Sequence, residues 1–172
     1  MASLMENLIE VLDSESREYE NLLELSTKKT PVIISGNLEE LAKITDEEQN
    51  VVSGINRLDK KRQEVFTDIA NVINKDVDTL KIADLIDMLE SRPEEQQKLA
   101  RVHDRLSKAV HGVRSVNEQN GILIQNALEM VEFDMNMLQA MKAAPETANY
   151  DRGATSAGVT MGVDGRGFDA KQ

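Results

Sequence analysis

Chemistry in this sequence could come from two histidines, a few charged or amide residues set among apolar ones, and one glycine-rich run. His103 and His111 lie on one predicted helix. A di-iron helical bundle needs a glutamate three residues before each histidine, so that both side chains project inward together. Ala100 and Lys108 stand at those positions, so both histidines read as solvent-facing or locally bonded. The run Gly162-Val163-Asp164-Gly165-Arg166-Gly167 follows no strand and opens no helix. It therefore lacks the setting in which backbone amides cradle phosphate. With no cysteine, thiolate and disulfide chemistry are absent as well. The sequence predicts a binding protein with no catalytic residues, metal or cofactor.

A second set of polar residues reads differently. Glu48 and Arg62 fall on one apolar seam, and Asn120 and Asp134 on another. Polar groups at core-type heptad positions fix register or orientation, and that structural role is assigned to all four.

The elements that must hold these residues are helical. Apolar content is Leu, Ile, Val, Met and Ala, with three Phe, two Tyr and no Trp. Such side chains suit helix seams, and the period-two alternation of a sheet is missing. A net charge of -11 repels polyphosphate, and the basic residues are interleaved with acids, as at Asp59-Lys60-Lys61-Arg62, so nucleic acid is not an expected partner. The first basic residue is Arg17, and Glu6 and Glu10 break the early apolar positions, unlike a secretory signal. Runs such as Ile122 to Ile124 are far too short to span a bilayer. A cytoplasmic protein without membrane insertion is expected.

Punctuation divides residues 1–144 into helices at about 3–35, 38–74, 79–90 and 93–144. Pro31 sits in the last turns of the first, which closes at Ser35 and Gly36. Asn37 with Glu40 three residues on has capping-box-like spacing. The second seam runs Leu41, Ile44, Glu48, Val51, Ile55, Leu58, Arg62, Val65, Ile69 and Val72. Pro93 followed by Glu94 and Glu95 opens the last helix. Its seam is Leu99, Val102, Leu106, Ala109, Val113, Val116, Asn120, Leu123, Ala127, Met130, Asp134, Met137 and Met141. Unbroken steps of three and four mean helix packed lengthwise on helix. The expected fold is all-α, an elongated antiparallel helical bundle or coiled coil. Residues 145–172 hold five of the nine glycines and read as a flexible, disordered C-terminal tail.

The last helix changes character at Asn120. Beyond it, Ile124, Ala127, Leu128, Val131, Met135 and Leu138 share one face, while Leu123, Met130, Phe133, Met137 and Met141 share the next. Together they cover an arc of roughly 220°, against the stripe of about 100° that one neighbouring helix hides. Four of the eight methionines lie between Met130 and Met141, and unbranched thioethers adapt to differently shaped partners. The pattern allows two outcomes. A client protein could occupy the arc, or the chain's own helices or a second copy could cover it. Cover by a second copy describes a structural homo-oligomeric coiled-coil protein.

The junction Ile34-Ser35-Gly36-Asn37-Leu38-Glu39, the following Leu41, Ile44, Glu47 and Glu48, the pair Asn117 and Asn120 ahead of Leu123, and lone Tyr150 before Phe168-Asp169-Ala170-Lys171 form a further pattern. In these residues the chain resembles the FlgN family of flagellar export chaperones. The resemblance implies a bacterial cytoplasmic chaperone of type III export that holds the hook-associated proteins FlgK and FlgL until delivery. It places Leu123, Met130, Phe133, Met137 and Met141 as client contacts, and Tyr150 as the anchor on the cytoplasmic domain of the export gate FlhA.

Overall fold

Reciprocal hydrogen bonds start the first helix. Glu6 N donates to Ser3 Oγ at 3.1 Å, and Ser3 N donates to Glu6 Oε2 at 2.7 Å, which satisfies amides that a helix start leaves open. From here the computed structural model describes residues 3–143. Helix α1 (Leu4–Ser35) runs through Pro31 and ends where Gly36 adopts φ 71° and donates its N–H to Ile33. That left-handed conformation costs glycine least. Asn37 Oδ1 then accepts from Glu40 N at 3.1 Å and opens α2 (Leu38–Val72), as its spacing predicts.

The turn after α2 removes one expected seam residue from the core. Ile73 caps the helix and Asn74 takes φ 53°, so the chain swings away and leaves Val72 74% exposed. The Asp76 carbonyl accepts from both Thr79 N and Leu80 N. Those residues are spent in the turn, and α3 is only Ile82–Met88, shorter than the 79–90 that the apolar spacing suggests. Helix α4 spans Pro93–Ala143.

Side-chain contacts fix the directions. Glu48 on α2 meets Ser26 and Lys29 on α1, and Arg62 meets Glu15, so α1 and α2 are antiparallel. Arg105 on α4 meets Asp13 and Glu20, and Asn120 meets Ser26 and Thr30. Helix α4 therefore runs parallel to α1 and antiparallel to α2. This up, down, up helical bundle has no strand among the described residues.

The main core lies at the α3 end, where Leu8, Leu12, Val65, Ile69, Leu85 and Leu99 interlock. Leu8, Leu12 and Leu99 are fully buried, and each contributes about 1.5–3 kcal/mol. A second cluster of Leu22, Ile55 and Val113 follows. There Gly112 lets the helices approach, because a Cβ on it would stand 2.9 Å from Leu23 Cδ2. The chain divides into two units, the first running to Asp134 and the second beginning at Met135.

Candidate partner-binding surface

The apolar core of the bundle gives way to a polar layer. Ser26 is fully buried on α1, and its hydroxyl donates to Glu48 Oε1 at 3.0 Å. The other Glu48 oxygen accepts from Lys29 Nζ at 2.7 Å. From α4, the Asn120 amide donates to the Ser26 carbonyl at 2.8 Å, while its Oδ1 accepts from Thr30 Oγ1 at 2.6 Å. Every member of this layer has a partner, as buried polar groups require.

The expected register roles of Glu48, Arg62 and Asn120 acquire partners here: Glu48 and Asn120 in this layer, and Arg62 against Glu15 and Asp59 on the other side of the second cluster. Asp134 does not, because it is exposed. A carboxylate there is simply solvated and fixes nothing.

Asn120 is the last buried residue of α4. Leu123 is half-buried, and from Ile124 to Ala143 every residue is exposed. The cause lies in the sequence register of the partners. Asn120 pairs with Thr30, and α1 ends five residues later, at Ser35. Within the first unit this leaves Leu128, Met130 and Phe133 at 59%, 69% and 64% exposure. In the second unit, the described helical residues Met135, Met137, Leu138 and Met141 are each more than half exposed. Isolated exposed apolar residues are ordinary, whereas clustered ones make a candidate interaction surface.

Of the residues expected to touch a client, Met130, Phe133, Met137 and Met141 are thus open to solvent, and Leu123 lies at the edge of the bundle. Tyr150 lies outside the described residues. Neither histidine joins this surface. His111 Nδ1 donates to the Ser107 carbonyl at 2.8 Å, and His103 stands 3.8 Å from Asp104. Among the described residues no three His, Asp or Glu side chains converge as metal ligands. No described helix is long and apolar enough to cross a membrane.

Sequence spacing did not reveal two features. Glu15 and Ser16 are buried on α1, although the apolar pattern gave no reason to place them inside. Ser26 was equally hidden, since a serine at helical spacing signals a buried layer only once Glu48 and Asn120 are seen around it.

Comparison with known proteins places the chain beside a family and a bacterial relative. The model of the FlgN protein family matches residues 1–158. The uncharacterized protein YvyG of Bacillus subtilis (strain 168) is 25% identical over 120 residues, covering 70% of this chain and 71% of that protein. No solved structure matches.

Proposed function

The chain belongs to the FlgN family, a family of flagellar export chaperones, and on that premise we propose that it captures the terminal helical segment of hook-associated proteins of the FlgK and FlgL kind. The observation that carries this reading is the exposed apolar stretch of α4 beyond Asn120, with Met130 at 69% and Phe133 at 64%. An amphipathic client helix lays its apolar face on such a surface, and its own assembly seam is hidden while it is held. No bond is made or broken.

Leu123, Met130 and Phe133 supply client contacts from the first unit, and Met137 and Met141 supply further ones from the second. Full burial of each large apolar side chain is worth about 1.5–3 kcal/mol. Several together offset the ordering and association costs of binding. Methionines let the same helix accept clients of different shape.

Delivery follows from release at the export gate. Tyr150 is the proposed anchor on the cytoplasmic domain of FlhA, because an aromatic ring buries much area at low entropic cost. The site of action is the bacterial cytoplasm.

Native mass spectrometry tests the proposal against self-association through the same surface. The expected result is a heterocomplex with a FlgK-like or FlgL-like protein that forms at the expense of free chain. A stable homodimer whose mass does not change when either protein is added would overturn it.

A further inference from the structure

Helix α4 could pack on α1 in two registers of nearly equal apolar content. The observed window pairs Leu99, Val102, Leu106, Ala109, Val113, Val116, Asn120 and Leu123 with the bundle. Sliding α4 by one heptad, about 10 Å, toward its own N-terminus replaces Leu99 and Val102 by Ala127 and Met130. The displaced register would draw Met130 into the chain's own core. Hydrophobic burial is non-directional and cannot by itself choose between the two.

Three features of the α1–α4 seam do distinguish them. In the displaced register Asn120 takes the place of Val113, inside the cluster of Leu22 and Ile55, where its amide loses the Ser26 carbonyl and Thr30. Gly112 takes the place of Arg105 and brings no side chain to Glu20 and Asp13, which Arg105 now holds through three hydrogen bonds of 2.7 to 2.8 Å. Gln119 takes the place of Gly112, where even a Cβ meets Leu23 at 2.9 Å. An unpaired amide in an apolar layer is costly, and polar heptad positions are known register devices.

We infer that Asn120, Arg105 and Gly112 are positioning residues for client capture, which hold α4 in the one register that keeps Met130 outside the bundle. The inference rests on the reading of that surface as the client site.

The test uses the full chain, which has no cysteine of its own. Nitroxide labels on Asn21→Cys and Ser115→Cys, both exposed, report the α1–α4 register by pulsed electron paramagnetic resonance. The unlocked variant combines Asn120→Leu, Arg105→Ala and Leu23→Ala, with helical circular dichroism confirming that it folds. The expected result is one narrow distance in the parent and a second, displaced distance in the unlocked variant. Adding Ala127→Glu to that variant restores the parent distance, because the slip would bury a carboxylate beside Glu48 and Ser26. If nine-tenths of the molecules are displaced, the apparent affinity for a FlgK-like C-terminal fragment falls about tenfold.

A single parent distance in the folded, unlocked variant overturns the inference, as does a displaced distance that Ala127→Glu leaves unchanged. A parent chain that binds no such fragment removes the client reading, whatever the distances show, so the two failures are separable. Should the triple variant lose its helical signal, the same measurement on Asn120→Leu with Arg105→Ala decides by the same criteria.

Discussion

The Glu15 carboxylate stands 3.5 Å from Arg62 Nε inside the α1–α2 seam, and its other oxygen is buried with no hydrogen-bond partner among the described residues. Burial pushes the Glu15 carboxyl above its ordinary range. Arg62 draws it part of the way back, and Asp59 adds to the rise. The folded protein therefore holds this proton more tightly than the unfolded chain. Stability from Glu15 is full below the ordinary carboxylate value and is lost as pH rises through the raised one. Glu15→Gln abolishes the titration. Urea unfolding from about pH 4 to pH 8 should show the variant gaining on the parent as pH rises; a difference that stays constant with pH would contradict this.

Glu20 behaves in the opposite sense. The hydrogen bond from Arg105 holds its carboxyl below the ordinary range, against a smaller desolvation effect. Its contribution is present above the ordinary carboxylate value and fades as pH falls through the lowered one. Both side chains of the pair are more than 40% exposed, so Glu20→Gln should cost only about 0.5 kcal/mol at neutral pH and low salt. Thermal melts should show that cost shrinking in acid and in about 1 M salt, where screening is short-ranged.

Two helical glycines on α4 should respond differently to alanine. A Cβ on Gly121 meets nothing within 4 Å, whereas one on Gly112 meets Leu23 at 2.9 Å. Alanine is favoured over glycine inside a helix by about 1 kcal/mol. Gly121→Ala should raise the unfolding free energy by roughly that amount. Gly112→Ala should gain less or lose, because half-buried Leu23 must shift. Paired urea titrations check the order, and an equal gain at both sites would contradict the close α1–α4 approach.

Much of this architecture was legible because helix boundaries are written in local chemistry. Asn37 before Glu40 and Pro93 before Glu94 and Glu95 mark helix starts by the amides and dipoles they satisfy. The long seams were visible for the same local reason, since steps of three and four repeat along one chain. Partnership is a different matter. Glu48 and Asn120 could be placed on seams, but nothing in their spacing pointed to Ser26 as the residue between them. Asp134 and Asn120 look equivalent by heptad, and only the end of α1 at Ser35 makes one buried and the other exposed. The same arithmetic explains why, among the described residues, Leu128, Met130 and Phe133 lie beyond the end of α1 and stay exposed.

The central claim is that the exposed distal side chains of α4 hold a client helix. Isothermal calorimetry with a C-terminal fragment of a FlgK-like protein tests it most directly, comparing the parent chain with Met130→Asp and Phe133→Asp. Both side chains are already in solvent, so the variants should fold and melt like the parent. A carboxylate buried against an apolar client should weaken binding by at least about tenfold, or roughly 1.4 kcal/mol, in each. Undiminished affinity in both folded variants would contradict the claim.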